Sequence, residues 1–278
     1  MSDAVQLTVD RSQAGIWSIT FNNPPINIFS PLTIIELSAL MTDLEADLAA
    51  RVVVFQSDNP DFFVAHLDVA KAAEQPQVLT VWREFVLKLS SSPVISVAKS
   101  RGRTRGIGNE FALACDMRFA SRQCALFGNP EVGVGLVPGG DAMEWLPRLV
   151  GRSRALEIVL SGADFDADVA ASYGWVNRAL NDDELDPFVD ALAQRLASFD
   201  RETLATAKAQ LSRLDVPTAA ELQSSTDMFF STLAQPRAQA RRSKLRNIGY
   251  GVPSDFELNF GSYLPSLGHA DGVGERPV

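Results

Sequence analysis

Apolar residues are spaced in two different ways along this chain. In the first half, short uninterrupted apolar runs, typical of buried strands, alternate with stretches in which apolar residues recur every three to four positions, as on one face of a helix. Strand-like segments occur at residues 5–9, 15–21, 51–55, 93–98, 117–120 and 125–128. Helical spacing occurs at 31–48 and 78–89, and a further helix is expected after residue 68. This alternation predicts a largely parallel sheet with right-handed crossovers.

The second half of the chain is predominantly helical. Helical spacing recurs at residues 142–150, 152–160, 167–173, 185–197, 201–214 and 219–233, interrupted by a possible strand at 175–179. Residues 249–278 are rich in Gly and Pro and indicate no clear element. We therefore divide the chain into an α/β core, residues 1–200, and a C-terminal helical region with a tail, residues 201–278.

Composition and charge narrow the class of function. The 278 residues are 46% hydrophobic, enough for a large core, and the net charge is −9. An acidic chain of this kind is not expected to bind nucleic acid or an anionic membrane surface, although a few local basic groups suffice for an anionic small molecule. There is no run of 18 apolar residues that would predict a membrane span.

Cysteine and histidine usage bears on the compartment and on metal binding. Cys115 and Cys124 form neither a disulfide framework nor a C-x-x-C pair, and Cys115 lies in an apolar helical run. His66 and His269 are far apart in sequence, so no metal site is predicted. The first residues lack the pattern of a signal peptide. These observations favour a reducing, cytoplasmic location.

One stretch combines a tight turn with a carboxylate. Residues 106–108 (Gly-Ile-Gly) run directly into an apolar helical segment, and Glu110 lies in its first turn. Glycine lets a ligand approach the backbone closely, and the free N–H groups at a helix start stabilise negative charge on a ligand oxygen. The alternative is an ordinary helix start in which Glu110 only interacts favourably with the helix dipole. The turn by itself leaves both interpretations open.

Four segments, taken in order, carry a resemblance to a known family. They are residues 22–27 (Asn-Asn-Pro-Pro-Ile-Asn), 63–68 (Phe-Val-Ala-His-Leu-Asp), 102–116, which contains the glycine turn, and 127–139, which begins Phe-Gly-Asn-Pro-Glu and ends Pro-Gly. They are similar to four motifs of the enoyl-CoA hydratase/isomerase (crotonase) superfamily: N-x-P-x-x-N, F-x-A-G-x-D, G-x-A-x-G-G-G-x-E-L-A-L-A-C-D and F-G-x-P-E-x-x-x-G-x-x-P-G. The resemblance covers residues 16–197 and implies a crotonase-like (ClpP/crotonase) spiral of ββα units with a C-terminal helical region.

The resemblance implies an enzyme that acts on acyl-CoA thioesters. Hydration of the double bond of an enoyl-CoA is the first activity that it implies. In the family, two backbone N–H groups bind the thioester oxygen as it becomes enolate-like, and the matching donors here are those of Leu67 and Ile107. Two glutamates hold the attacking water, and they match Glu110 and Glu131. By this resemblance Glu131 exchanges the α-carbon proton, Glu110 orients or activates the water, and the Gly139 backbone helps to place it.

The resemblance also implies where the rest of the substrate binds. The loop from Ala65 to Asp68 would contact the adenine of CoA, and Gly106 would let the thioester approach the turn. Two basic clusters are candidates for the CoA phosphates, with a solvated surface as the alternative, which we favour slightly for the second. The first comprises Lys99, Arg101, Arg103 and Arg105, and the second Arg241, Arg242, Lys244 and Arg246. No cofactor is expected, because CoA is part of the substrate.

The family further implies an assembly and a metabolic role. Its members usually form trimers or pairs of trimers, with C-terminal helices packed between subunits. We therefore expect a homo-oligomer in which the region after residue 200, including the apolar positions of residues 255–260, lies at an interface. The role expected from the resemblance is in fatty acid metabolism.

Three positions depart from the family pattern. Ile107 replaces the central glycine of the turn and adds a β-branched side chain where the substrate approaches. His66 replaces a loop glycine, where it could contact the thioester or adenine, titrate near neutral pH or fill space. Asp141 stands where glycine is common, either as a third carboxylate of the site or, the preferred interpretation, as the N-cap of the next helix. These changes predict a narrowed or reshaped acyl pocket.

Other functions remain open at this point. The same scaffold could isomerise a double bond, cleave by a retro-aldol reaction or hydrolyse a CoA ester. A non-catalytic CoA-binding protein is the alternative from another class, and it is favoured by Ile107 and His66.

Overall fold

The computed structural model describes residues 5–268, which form two β-sheets surrounded by helices. In chain order the strands are β1 Leu7–Asp10, β2 Ile16–Phe21, β3 Val52–Ser57, β4 Phe62–Val64, β5 Ile95–Ser100, β6 Arg103–Arg105, β7 Met117–Ser121, β8 Leu126–Gly128, β9 Phe165–Asp166 and β10 Arg178–Leu180. The helices are α1 Pro31–Ala46, α2 Val69–Glu74, α3 Val78–Ser91, α4 Ile107–Ala114, α5 Ala142–Val150, α6 Arg152–Ser161, α7 Ala167–Tyr173, α8 Asp182–Ala197, α9 Arg201–Ser212, α10 Ala219–Leu233, α11 Pro236–Asn247, α12 Asp255–Leu258 and α13 Phe260–Tyr263. Short 3-10 helices cover Pro130–Val134 and Leu264–Gly268.

The larger sheet has six strands in the order β1-β2-β3-β5-β7-β10. The predicted hairpin of β1 and β2 pairs antiparallel, and the remaining pairs are parallel. Its central strands are apolar on both faces, as parallel strands covered on two sides require. Val52 and Val54 of β3 pack with α8, whereas Val53 and Phe55 face the main core with α1 and α3. The predicted parallel α/β core is therefore present.

A smaller sheet has four strands in the order β4-β6-β8-β9. The chain passes from β3 to β4, from β5 to β6 and from β7 to β8, each time leaving the large sheet for the small one, and a helical segment follows each pair. This is the ββα repeat that the sequence resemblance implies. The sequence pattern missed β6, because Arg103, Thr104 and Arg105 are polar although they pair with β4 and β8.

The chain after residue 200 packs against the core of the same molecule. Helix α10 contacts α3 and α5, α9 contacts β5, and α11 contacts the first 3-10 helix. Residues 249–268, for which no element was predicted, form α12, α13 and the second 3-10 helix. Phe256 and Phe260 are only 4% and 1% exposed within this chain. The expectation that these two phenylalanines lie exposed at an interface was therefore wrong, whereas Leu258 is half-buried. Residues 269–278 of the tail lie outside the described part.

Helix length bears on membrane association. Within residues 5–268, no helix combines the length and the apolar composition needed to cross a bilayer.

Candidate active site

A largely apolar cavity between the two halves of the chain, here called the inner cavity, brings together most of the predicted site residues. His66 and Leu67 of the loop before α2, Gly106 and Ile107 at the start of α4, and Glu110, Glu131 and Gly139 all line it. The other lining residues are Val69, Leu79, Pro130, Val134, Leu136, Gly140, Phe229, Tyr250 and Phe260. Ala65, Asp68 and Asp141, which were also predicted, do not line this cavity.

The glycine turn begins helix α4 and places a backbone donor in the cavity. Gly106 has a φ of 52°, and a Cβ there would lie 2.8 Å from Glu131 Oε1. Glycine is therefore required both by the backbone conformation and by the closeness of the carboxylate. Ile107 is the first residue of the helix, so its N–H has no acceptor within the helix. The dipole of α4 adds to the attraction that this N–H exerts on a ligand oxygen.

The second predicted donor is the N–H of Leu67. Phe29 forms a parallel bridge to this loop by donating to the carbonyl of His66 at 3.0 Å and accepting from the N–H of Asp68 at 2.8 Å. In a parallel bridge the N–H of the residue between these two points to the opposite side. Within residues 5–268 neither the N–H of Leu67 nor that of Ile107 donates a hydrogen bond. Both are thus available to a ligand, which is the arrangement an oxyanion hole needs.

Glu110 is held by the backbone that leads into α5. Its Oε1 accepts hydrogen bonds from the N–H groups of Gly140, at 3.0 Å, and Ala142, at 3.2 Å. A Cβ on Gly140 would overlap Glu110 Oε2, so glycine is needed for this close approach. The side chain is 2% exposed. Burial raises the pKa of Glu110 well above its usual value, and the neighbouring carboxylates of Glu131 and Asp141 raise it further.

Glu131 lies in the 3-10 helix Pro130–Val134, on the other side of the glycine turn. Its Oε2 is buried and has no hydrogen-bond partner among the described residues. Burial raises the pKa of Glu131 to about 7. A carboxyl group with this pKa gains and loses a proton readily near neutral pH, which suits general acid–base chemistry.

Asp141 differs from the preferred expectation of an N-cap. It stands at the N-cap position of α5, with a φ of 94°, but its side chain makes no capping hydrogen bond. The residue is fully buried, and both carboxylate oxygens lack a hydrogen-bond partner within the described chain. Burial, followed by the charge of Glu144, raises the pKa of Asp141 to about 8. The group is thus a buried acid behind Glu110, outside the inner cavity.

Three further predicted residues have mainly structural contacts. Gly139 lines the cavity, and its carbonyl accepts a hydrogen bond from the Thr226 hydroxyl at 3.3 Å. Ala65 is buried and donates to the carbonyl of Asn27. Asp68 caps α2 by accepting from the Lys71 N–H at 3.0 Å. Asp68 also faces a second cavity, the outer cleft, which adjoins the inner cavity.

The first basic cluster is committed to ion pairs and backbone contacts. Arg101 binds Asp182 and Asp186, and Lys99 binds Asp186 at 2.6 Å. The fully buried Arg105 forms a bidentate pair with Asp164, and Arg103 donates to the carbonyl of Leu258. A phosphate-binding role for this cluster is therefore not supported. Its guanidinium groups instead attach α8 and α12 to the core.

Two members of the second basic cluster lie where a phosphate could bind. Arg242 and Arg246 line the outer cleft together with Asp68 and Gly251. Arg241 instead donates to the carbonyl of Gly133 at 3.2 Å. The preference for a solvated surface stays a prediction, since Arg246 is exposed, but Arg242 and Arg246 also line a cleft that adjoins the cavity of the glutamates.

The sequence reasoning missed four residues of the site, all C-terminal to residue 225. Phe229 of α10 and Phe260 of α13 close the inner cavity. Tyr250 lines both cavities and stacks on His66, while Glu257 lies 2.9 Å from His66 Nε2. They lie 90 or more residues beyond the last motif, and no local pattern identifies them. For the three residues after position 249, the one signal in the sequence was the aromatic content of an otherwise Gly- and Pro-rich segment.

Metal binding can be assessed from the same geometry. In the part of the chain that the structure describes, no group of three or more His, Cys, Asp or Glu side chains could hold a metal ion.

Comparison with known proteins agrees with this geometry. The sequence model of the enoyl-CoA hydratase/isomerase family matches residues 11–244. A protein of Bacillus subtilis (strain 168), assigned as a probable enoyl-CoA hydratase, is 31% identical over 211 residues, which are 73% of this chain and 80% of that protein. A Mycobacterium avium (strain 104) protein, assigned as the probable enoyl-CoA hydratase echA17, is 33% identical over 202 residues, 70% of this chain and 77% of that protein.

Solved structures agree in fold. A Streptomyces avermitilis protein, described as a putative enoyl-CoA hydratase, superposes with a TM-score of 0.89 at 40% identity, covering 96% of this chain and 98% of its own. The family match extends over most of the chain and includes every motif described above. With its ββα spiral and its two glutamates beside two free backbone donors, the chain belongs to the enoyl-CoA hydratase/isomerase family.

Proposed function

We propose that this protein adds water across the double bond of an enoyl-CoA thioester. The observation that carries the proposal is the position of Glu110 and Glu131 in one cavity with the free N–H groups of Leu67 and Ile107. Hydration requires such a set, because a negative oxygen must be stabilised while two protons move. The relatives assigned as enoyl-CoA hydratases support the same reaction.

In the proposed reaction the thioester oxygen accepts hydrogen bonds from Leu67 and Ile107. A water molecule held by the two carboxyl groups attacks the β-carbon and gives up one proton to an ionised carboxylate. The electrons of the double bond move toward the thioester oxygen, forming an enolate that the two N–H groups stabilise. A protonated carboxyl group then delivers a proton to the α-carbon, which yields the 3-hydroxyacyl thioester.

The protonation of the two glutamates fits this cycle. Hydration needs one carboxylate and one carboxylic acid in the same site, and burial raises the pKa of both side chains. Two interacting carboxyl groups titrate as a pair, and burial of both favours keeping a proton within the pair. We assign the exchange of the α-carbon proton to Glu131, whose pKa is raised to about 7, and the orientation of water to Glu110, which two backbone N–H groups hold in place.

The remaining parts of the proposal follow from the outer cleft and from the family. Arg242 and Arg246 of the outer cleft would bind phosphates of CoA, because guanidinium groups match phosphate in charge and geometry. The reaction as written needs no cofactor. A role in fatty acid metabolism, a cytoplasmic location and assembly into trimers or pairs of trimers are proposed on the family resemblance alone.

The test is hydration of crotonyl-CoA by the purified protein and by two isosteric variants. Glu131→Gln and Glu110→Gln should each lower kcat by about 10²- to 10⁴-fold, because each removes a group that transfers or directs a proton. Glu84→Gln, on the exposed face of α3, is the matched control and should retain the activity of the wild type. Wild-type protein that is inactive on a panel of enoyl-CoAs of different chain length would refute the proposal.

Product analysis separates hydration from the alternatives. Hydration adds the mass of one water, isomerisation leaves the mass unchanged, retro-aldol cleavage gives two fragments, and thioester hydrolysis releases CoA. Tight acyl-CoA binding without any of these products would indicate the non-catalytic alternative, which the bulk of Ile107 in the cavity favours.

A further inference from the structure

A cluster of polar side chains joins the loop before α2 to the C-terminal segment. His66 stacks on Tyr250, with ring centroids 4.2 Å apart and planes inclined by 9°. His66 Nε2 lies 2.9 Å from Glu257 Oε1, and His66 Nδ1 lies 2.9 Å from the carbonyl oxygen of Leu67. Arg105 donates to the carbonyl of Glu257 at 2.5 Å and thereby attaches α12 to β6. None of these contacts is used in the proposed hydration.

The partners of His66 determine its protonation state. A backbone carbonyl can only accept, so the nitrogen that faces Leu67 carries a proton. Glu257 Oε1 accepts a hydrogen bond from the N–H of Gly251. Burial opposes ionisation of Glu257, but the neighbouring His66 outweighs it, so that the pKa of Glu257 is lowered. The nitrogen that faces this carboxylate also carries a proton. These contacts favour the imidazolium form of His66: burial opposes the charge, but the Glu257 carboxylate outweighs it, so that the pKa of His66 is raised.

The contact between Tyr250 and His66 is a stacking contact. The Tyr250 hydroxyl oxygen is 3.1 Å from His66 Nδ1. Because the two rings are almost parallel, this oxygen lies above the imidazole plane, whereas the N–H of a histidine lies in that plane and here points to Leu67. A ring nitrogen that carries a proton has no free lone pair, so Nδ1 cannot accept a hydrogen bond from the hydroxyl. The contact with His66 Nδ1 therefore leaves the hydroxyl proton of Tyr250 without an acceptor among the described residues.

Tyr250 occupies a defined position along the path of the substrate. Six residues line both the inner cavity and the outer cleft, and we call them the neck: His66, Leu67, Val69, Val134, Leu136 and Tyr250. Leu67 supplies a proposed oxyanion donor, the glutamates lie on one side, and Arg242 and Arg246 lie on the other. A molecule that spans both cavities must pass Tyr250 close to the point where its thioester reaches the donors. The other neck side chains, apart from His66, are apolar.

We propose that Tyr250 is a substrate-binding residue that donates a hydrogen bond to a carbonyl oxygen of the acyl-CoA at the neck, and that His66 and Glu257 are positioning residues that hold its ring. This inference rests on the proposed function, since it requires an acyl-CoA in the two cavities. Stacking on a cationic imidazolium fixes the phenol ring, and burial raises the pKa of Tyr250, which keeps its hydroxyl protonated as a donor. The carbonyl is either that of the thioester or that of an amide in the pantetheine arm.

The experiment measures binding of butyryl-CoA and of free CoA by calorimetry, so that no turnover is needed. Tyr250→Phe keeps the ring and removes the hydroxyl, and it should weaken butyryl-CoA binding about 3- to 10-fold, the range for one neutral hydrogen bond. If the acceptor is the thioester, free CoA binds the variant as it binds the wild type; if it is an amide, free CoA weakens equally. Tyr173→Phe removes an exposed hydroxyl bound to Glu157 and should change neither affinity.

The positioning role has a separate test. Glu257→Gln removes the carboxylate that keeps His66 charged. It should lower the affinity for the same ligands that Tyr250→Phe affects, and it should not lower the affinity further when it is combined with Tyr250→Phe. A loss of affinity that adds to that of Tyr250→Phe would reject the positioning role. Unchanged butyryl-CoA affinity in Tyr250→Phe would overturn the inference and leave the hydratase proposal standing, whereas a wild-type protein that binds no acyl-CoA would overturn both.

Discussion

At the scale of single residues, this molecule buries three carboxyl groups close together. Glu110 has two backbone donors, but one oxygen of Glu131 and both oxygens of Asp141 have no hydrogen-bond partner within residues 5–268. Burying an ionisable group without partners costs free energy, and the protein avoids part of this cost by keeping protons on the groups. For the glutamates the raised pKa serves the proposed chemistry. Asp141 does not line the inner cavity, and we expect its burial to lower stability.

Asp141→Asn should stabilise the protein increasingly as the pH rises. The unfolded chain releases the Asp141 proton near pH 4, while the folded protein retains it up to about pH 8. The unfolded state thus binds fewer protons in this window, and the free energy of unfolding falls with increasing pH. Asparagine cannot ionise and tolerates the φ of 94° at this position.

The measurement is urea unfolding of both proteins at pH 4 and pH 8. At pH 4 the free energy of unfolding of the variant should be close to that of the wild type, and at pH 8 it should be higher by a few kcal/mol at most. Glu110 and Glu131 titrate in both proteins, so their contribution to the difference largely cancels. A difference in the free energy of unfolding that does not change with pH would contradict this account.

At the scale of secondary structure, helix starts build the site. Helix α4 begins at the glycine turn, and the backbone entering α5 binds Glu110. Such features are encoded in a few consecutive residues, and this is why the sequence pattern located α1, α3, α5 and α6 near their observed bounds. The pattern missed β6 and placed the start of β10 too early, since this strand begins at Arg178. At both strands, pairing with neighbouring strands determines the structure more strongly than local composition does.

The turn into α4 also makes a prediction about acyl specificity. Ile107 lines the inner cavity and is 3% exposed, so its side chain occupies volume that a glycine would leave free. Ile107→Gly keeps the backbone N–H and should raise kcat/KM for octenoyl-CoA relative to crotonyl-CoA by about 10-fold, the effect of a pocket change of about one or two methylene groups. Steady-state kinetics on both substrates gives this ratio. Loss of activity on both would mean that Ile107 supports the turn rather than narrowing the pocket.

At the scale of the whole molecule, the C-terminal region both completes the site and leaves an apolar surface. Helix α10 and the segment after residue 249 close the inner cavity. The C-terminal region therefore contributes to the cavity wall in addition to the role in assembly expected from the family. An apolar groove nonetheless runs beside α9, where Trp145, Leu149 and Leu204 line it. Leu211 in the last turn of α9 and Leu214, two residues beyond the helix, are 78% and 88% exposed. A surface of this kind is typical of a contact between protein molecules.

We expect the purified chain to form a trimer or a pair of trimers that uses this surface. Leu211→Asp should shift the assembly toward the monomer, because a charge would be buried at the contact. Leu48→Asp, at an equally exposed leucine after α1, is the control and should leave the mass unchanged. Light scattering coupled to size-exclusion chromatography measures the mass. A monomeric wild-type protein would contradict the expectation.

The sequence by itself determined the family, the order of most elements and the positions of Glu110, Glu131, Leu67 and Ile107, because short motifs specify turns and helix starts through local backbone preferences. The tertiary structure alone decided which distant groups meet these motifs. It placed Tyr250 and Glu257 against His66 across more than 180 residues, bound the first basic cluster in ion pairs, and left Asp141 buried without a capping bond. Contacts of this kind depend on how helices and sheets pack, and packing follows from the whole chain rather than from any single segment.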